Sequence, residues 1–374
     1  MFSTHIRNNK VNSRMYKYIF ALLTLIASGT LSQAQVRVQR YDVTEGDGNS
    51  VTYSLPRTRL YVAVTVEEAV STPGEFALYA EKYLGIRTAP MKASRTFRIK
   101  DVKMGTYGIP DPDRRYTVRF KNNSTATYLQ LTPDGIICAI NSEYIPLGQI
   151  PEEGRTDFPI EEPTDRYSAM SEEYVQATSA MKQAEITAGE IFRIRESRTA
   201  IVSGEAEQPF PDGTAMKLAI AGLDKQENAL TERFMGKTKV RTQTFVIRDI
   251  VADEEDKGIA FRFSETLGLL DRDDLRGEPV YLDIRILERA PELSEKETAK
   301  KEKSLLKSII YNIPGKIQAT LMADGRRLLS GDFDIAQLGT RENLNPSLFS
   351  AKGARTSIIF NPETGSIRQV KELQ

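Results

Sequence analysis

Apolar and polar positions change their rhythm twice along this chain. From Val36 to about Tyr144 they mostly alternate, as half-buried strands do. Leu60-Tyr-Val-Ala-Val-Thr-Val66, Thr96-Phe-Arg-Ile-Lys-Asp-Val102 and Tyr116-Thr-Val-Arg-Phe120 are the clearest runs. Tyr128-Leu-Gln-Leu131, Thr132-Pro-Asp-Gly135 and Ile136-Ile-Cys-Ala-Ile140 predict strand, turn and strand. Gly74 to Gly85 predicts a short helix, with Phe76, Tyr79 and Tyr83 on one face and Gly85 as its stop.

From Ser171 to Gly236 the steps lengthen to three and four. A first helix is expected from Ser171 to Ser203, with Tyr174, Ala177, Met181, Ala184, Ala188 and Ile191 on one side and Gly204 as C-cap. A second is expected from Thr214 to Met235, ending at Gly236, with Met216, Ile220, Leu223, Glu227, Leu230 and Phe234 as its seam. The link from Gly204 to Gly213, holding Pro209 and Pro211, is short enough to make the two antiparallel. The seams carry charge: Arg195 and Arg198 on one helix, Asp224 and Glu227 on the other. An unpaired charge on a packed face is costly, so these residues are candidates for ion pairs across the hairpin. The alternative rotates the first helix onto Ile194 and Ile201 and leaves the arginines in water.

Alternation returns near Val240. Thr244-Phe-Val-Ile-Arg-Asp-Ile250, Ile259-Ala-Phe-Arg-Phe263 and Ser357 to Ile367 echo, in order, three segments of the first region. The echoes raise a duplicated β module. Glu288 to Lys303, dense in Glu and Lys, predicts a solvated loop or exposed helix. The expected fold class is α+β. Two β-rich modules, sandwich-like and mostly antiparallel, would flank a long antiparallel helical hairpin. The expected segments are 35–144 (β-rich, one short helix), 145–170 (linker), 171–236 (hairpin) and 237–374 (β-rich, charged insertion 288–303). Whether the two modules share a core is left open.

Residues 1–34 have the form of a secretory signal. Arg7, Lys10, Arg14 and Lys17 precede an apolar core from Tyr18 to Ile26, and Ser32-Gln33-Ala34 is a cleavage site; the same signal would be complete from Met15. Export would remove His5, leaving a mature chain with no histidine, no tryptophan and one cysteine, Cys138. No cysteine follows the cleavage site to carry a lipid, and one cysteine makes no internal disulfide. Of 51 basic residues four leave with the signal, so 47 face 51 acidic ones, a net charge near −4. That balance is no footprint for nucleic acid. No later segment is apolar enough to cross a membrane as a helix.

These absences narrow the chemistry. Ser-His-Asp, Cys-His and histidine-zinc sites lack their histidine. Gly236-Lys237-Thr238 resembles the end of a P-loop, but Thr231 stands where a glycine belongs and the motif follows a helix. Ser-x-x-Lys occurs at Ser179 and Ser304 without companion motifs. Asp271 to Glu278 begins like a calcium loop, but Leu275 and Leu282 occupy ligand positions, so it reads as a turn with Gly277 supplying an unusual backbone angle. Carboxylate-pair hydrolysis has no nominated pair. Cys138, in an apolar strand, reads as a small buried hydrophobe, and the Arg193, Arg195 and Arg198 group as local ion pairs. No catalytic, cofactor-binding or metal-binding residue is therefore assigned.

Several motifs nonetheless resemble one family. They are Leu55-Pro-Arg-Thr-x-Leu60, Tyr79-Ala-x-Lys-Tyr-Leu-Gly-Ile86, Ile191-Phe-Arg-Ile-Arg-Glu-Ser-Arg198, Pro211-Asp-Gly213, Phe263-Ser-x-x-Leu-Gly-Leu-Leu270, Gly277-Glu-Pro-Val280 and Tyr311-x-Ile-Pro-Gly315. Together they resemble an uncharacterised, domain-of-unknown-function family of secreted Bacteroidota proteins across nearly the whole mature chain. The resemblance implies the periplasm or the outer-membrane periphery and brings no activity, cofactor or site residue. The expected function is a non-enzymatic scaffold or binding module with a protein partner in the envelope. The competing readings are a carboxylate-dependent hydrolase of envelope glycans or peptides, and a small-ligand binder.

Overall fold

The computed structural model describes residues 36–40, 50–120, 128–144, 146, 149–160, 171–205, 212–349 and 355–373. The signal at 1–34 and the turn holding Pro209 and Pro211 lie outside these residues.

The first β region holds β1 (Val36–Arg40), β2 (Ser50–Thr72), α1 (Ala80–Leu84, preceded by a 3-10 turn), β3 (Ser94–Phe120), β4 (Leu129–Leu131), β5 (Ile137–Ile140) and β6 (Gly154–Arg155). Three helices follow: α2 (Glu172–Gln176), α3 (Ala180–Ser203) and α4 (Gly213–Met235). The second β region holds β7 (Lys237–Ile250), β8 (Asp256–Ser264), β9 (Gly268–Leu270), β10 (Glu278–Glu288), α5 (Glu295–Leu305), β11 (Ile310–Ala323), β12 (Arg326–Asn343), β13 (Arg355–Phe360) and β14 (Ile367–Leu373). The chain is thus β-rich with helices, and its strand pairs are antiparallel.

Three sheets form, in the orders β1-β3-β2-β7-β6, β12-β11-β10-β8-β9 and β14-β13-β5-β4. Two of them mix strands from both sides of the helices. β7 pairs with β2 (Thr65↔Thr244), and β13 pairs with β5 (Ile358↔Ile140). The expected division into separate modules at 35–144 and 237–374 therefore does not describe the sheets. β2 has a row of backbone groups on each edge, and both edges need partners. Local sequence does not say which distant strand supplies one. The segment expected as a linker or extended arm, 145–170, lies partly outside the described residues, and part of it joins a sheet. Its Gly154 and Arg155 pair with Thr244 and Gln243, and Thr156 N–H donates to Thr242 O at 2.9 Å, covering the outer edge of β7. Nor do the echoed hairpins occupy equivalent places: the second strand, β5, is inner in one, and the first strand, β13, in the other.

Alternation decides what each sheet buries. Leu60, Val62, Val64 and Val66 of β2 share a core with Phe261, Val280, Leu282, Ile284, Ile317 and Leu321 from the second sheet. A second core gathers Tyr53, Tyr116, Ile137, Ile140, Ile310, Ile358 and Phe360 from all three sheets. The fully buried Tyr53 hydroxyl accepts from Ile310 N–H at 2.8 Å and can donate to Ile310 O at 3.2 Å, tying β2 to β11.

The helices make the third core, with Phe76, Ala77, Ala80, Tyr174, Ala184, Ala188, Ile191, Leu230 and Phe234. The single helix expected from Ser171 to Ser203 is broken. Ser171 Oγ caps α2 by accepting from Tyr174 N–H, Ala177 turns to an extended conformation, and Ser179 Oγ caps α3 by accepting from Lys182 N–H. The serine oxygen takes over a donor that a continuous helix would bond to its own backbone. Met181, expected on the packed face, is exposed. The charged stretch contains α5, an exposed helix opened by a capping box between Ser294 and Glu297 and anchored by buried Leu305. Gly277 lies in a turn as expected, but for a different reason: a Cβ there would come within 3.0 Å of Phe263 O and Leu270 Cδ1.

Candidate functional site

The third sheet and the first meet at a turn. Asn361-Pro-Glu-Thr-Gly-Ser366 joins β13 to β14. Asn361 Oδ1 accepts from Glu363 N–H at 3.0 Å, which closes the turn locally. Thr58 Oγ1, fully buried in β2, donates to Glu363 O at 2.8 Å. Asn312 of β11 donates from N–H to Gly365 O at 3.0 Å and from Nδ2 to Thr364 O at 2.8 Å. Thr58 is itself gripped by Gln337 of β12, whose amide exchanges bonds of 2.9 and 2.8 Å with the Thr58 backbone. The turn is thereby fixed to the first and second sheets at once. Gly108 of β3 permits the approach, since a Cβ there would lie 2.1 Å from Pro362 O.

Beside this turn is a cleft of about 580 Å3. One wall is Gly105 to Gly108 of β3, with Tyr61 standing over Gly105, its cross-strand partner. Another wall is the β4–β5 turn, from Gln130 to Asp134, with Ile136 and Cys138 behind it. Tyr144, Pro146, Gln149 and Ile150, Phe333 of β12, and Pro362 and Glu363 complete the lining. The volume lies within the range of about 300–1,000 Å3 typical of ligand sites.

Glu363 is the chemically distinctive group. It is half-buried, and its Oε2 accepts from Thr106 Oγ1 at 2.5 Å. Burial pushes its carboxyl above the usual carboxylate range, and the Thr106 hydrogen bond only partly opposes that. Burial and the neighbouring Glu363 charge push the Tyr61 phenol up as well. Cys138 is buried, and loss of hydration raises its thiol to about 11, so it stays protonated at neutral pH. The second carboxyl of the lining, Asp134, is exposed on its turn. A perturbed carboxyl in a cleft is a physical mark of a functional site.

The seam charges lie elsewhere, and none lines the cleft. Arg195 Nε donates to Glu227 Oε1 at 2.6 Å, and Arg198 Nη1 donates to Asp224 Oδ1 and Glu227 Oε2, each at 2.6 Å. The pairs run in opposite order along α3 and α4, as antiparallel helices require. The Arg195 hydrogen bond is the main reason the Glu227 carboxyl falls below its ordinary value. Arg193 reaches Glu190 at 3.9 Å on its own helix. Among the described residues no His, Cys, Asp and Glu side chains converge as a metal-binding group, and no helix is long and apolar enough to cross a membrane.

Sequence reading identified the hairpin around Pro133 and Gly135 and the turn around Pro362, but not Glu363. The available signal was Asn-Pro-Glu-Thr-Gly, a turn whose acidic residue is presented beside a β-rich core. What makes that residue unusual, the approach of β3, cannot be read locally.

No curated protein and no solved structure matches the chain. A family model described as a domain of unknown function, DUF4831, matches residues 49–368, and so takes in β2 to β13, the helices and every residue of the cleft, leaving out β1 and most of β14. The chain therefore belongs to the DUF4831 family.

Proposed function

We propose that this is an exported cell-envelope protein, periplasmic or held at the outer membrane by a protein partner, and that it works as a non-enzymatic binding module with the Glu363 cleft as its ligand seat. The observation that carries the reading is the cleft itself, a half-buried carboxyl set in a mixed aromatic and polar pocket by strands of all three sheets. A seat built on rigid strands holds its shape without reorganising, which favours binding. The signal-like residues 1–34 and the resemblance to secreted Bacteroidota proteins support export. Absence of histidine after residue 35 and a protonated, buried Cys138 leave binding better supported than nucleophilic catalysis. The helical pair, with its ion-paired seam, supports a scaffold role by holding a second surface at a set distance from the sheets.

The test is equilibrium dialysis of the chain from Gln35 against fractionated envelope extract, with mass spectrometry of every retained component. A component that is retained and recovered with its mass unchanged supports the reading. A component lost from the extract while two fragments appear, whose masses sum to its own plus one water, favours the carboxylate-dependent hydrolase. If the native protein sits in the cytoplasm with residues 1–34 intact, the export reading fails.

A further inference from the structure

We infer that the cleft beside Glu363 seats an organic cation, an ammonium or guanidinium group carried either by a small amine or by a peptide side chain. The inference rests on the reading of the cleft as a binding seat and goes on to name the chemistry of its ligand.

The lining has a one-sided charge. Glu363 and Asp134 supply carboxyls, and among the described residues no lysine or arginine lines the cleft. Tyr144, Pro146, Gln149 and Ile150, which line one rim, are all uncharged. Lysine and arginine are otherwise as abundant as Asp and Glu, at 51 each over the whole chain. Elsewhere the fold answers its buried acids with arginine. Glu67 meets Arg98, Glu68 meets Arg95 and Arg241, Asp111 meets Arg57 and Arg114, and Glu302 meets Arg40 and Arg341. Glu363 has the Thr106 hydroxyl on its carboxyl, and among the described residues no basic side chain pairs with it. A carboxylate removed from water and left without a cation is a cost that a cationic ligand would offset.

The rest of the lining suits the same ligand. Tyr61, Tyr144 and Phe333 are aromatic residues of the lining, and the faces of aromatic rings attract cations. This protein already uses that contact for its own cations: the Arg233 guanidinium lies 4.6 Å from the Phe76 ring and 4.5 Å from the Tyr174 ring. An anionic ligand would meet two carboxyls and, among the described lining residues, no counter-charge. A neutral ligand would leave the ionised Glu363 uncompensated. The cation favours ionised Glu363, so binding releases a proton and strengthens as pH rises through the Glu363 titration.

The experiment is isothermal titration calorimetry of the chain from Gln35 at low salt. The probes are n-butylamine, the tripeptide Ala-Lys-Ala, and the isosteric neutral and acidic tripeptides Ala-norleucine-Ala and Ala-Glu-Ala. Saturable binding of butylamine or Ala-Lys-Ala, at least tenfold tighter than the neutral and acidic peptides, is expected. Equal affinity for the two cations points to a free amine, and tighter Ala-Lys-Ala points to a peptide. Glu363→Gln retains an acceptor for Thr106 and should weaken cation binding tenfold or more. Asp134→Asn, on an exposed turn, should weaken it less and serves if the first variant folds poorly. Asp332→Asn, on an exposed part of β12 outside the lining, should change nothing, and equal losses for all three variants would overturn the inference. Cleft binding of the neutral or acidic peptide without the cations would overturn the ligand class while leaving the seat. If none of the probes binds and envelope extract also yields no retained component, seat and class fall together.

Discussion

Arg233→Met should loosen the base of the helical pair by about 3 kcal/mol. Arg233 sits in the last turn of α4, where its guanidinium lies between the rings of Phe76 and Tyr174 at 4.6 and 4.5 Å. It donates to Glu75 Oε2 at 2.8 Å through Nη2 and also to the Tyr174 hydroxyl. The Arg233 side chain is 18 % exposed and that of Glu75 56 %. Each ring contact, mostly desolvated, contributes about 1 kcal/mol. The ion pair, with one partner in water, adds about 0.2–1 kcal/mol, and the phenol hydrogen bond about 1 kcal/mol. Methionine refills the apolar stem, so no large cavity term is added. The assay is hydrogen exchange of peptides from α1, α2 and α4, because the loss should appear as local opening instead of global unfolding. At 1.4 kcal/mol per tenfold, the opening constant should rise about 100-fold. Phe76→Leu in the same background should then cost less than it does alone, because the ring contact has already gone. A change below threefold, or strict additivity of the two substitutions, would refute the reasoning.

Three further outcomes follow from other parts of the fold. Gly236→Ala places a Cβ 1.9 Å from Thr72 O at a φ of +72°, and should cost about 2–4 kcal/mol, whereas Gly85→Ala, at φ +70° with nothing within 4 Å, should cost about 1 kcal/mol; thermal denaturation compares them. Glu363 and Glu227 should respond oppositely to pH. The raised Glu363 stabilises the fold below the ordinary carboxylate pKa and loses that stabilisation as pH rises through its own higher value, so Glu363→Gln should gain stability over wild type toward neutral pH. The lowered Glu227 contributes above the ordinary value and loses its contribution as pH falls through its own lower one, so Glu227→Gln should differ from wild type at neutral pH and converge with it in acid. Denaturant midpoints across pH 3–8 read both arms. Finally, Cys138 should resist iodoacetamide at pH 8 in the folded protein and react only in denaturant, as intact-mass spectrometry would show.

Much of the local structure was legible without coordinates. Alternation located the strands around Leu60 to Val66 and Thr96 to Val102, because side chains on a pleated strand face opposite sides whatever they later pack against. Steps of three and four located α4 and placed Leu230 and Phe234 on its buried face. The four charges singled out on the helical seams are brought within 2.6 Å of their partners. Their meeting follows from two helices joined by a short link, which is a local constraint. The break at Ala177 to Ser179 was not foreseen, because a serine within a periodic run can cap a helix or sit inside one with the same sequence.

The sequence by itself determined period, charge and inventory: the alternation of segments such as Leu60 to Val66, the apolar stripe of α4, and that no histidine remains beyond residue 35. Tertiary structure alone decided which strands share a sheet. β7 pairs with β2 and β13 with β5 across more than a hundred residues of chain, because an open strand edge specifies a need for partners and not their identity. It also decided the site. Glu363 is one of 51 acidic residues in the sequence and a turn residue like several others. It becomes a half-buried carboxyl in a cleft only because Thr58, Asn312 and Gly108, far apart in the chain, hold that turn against β3.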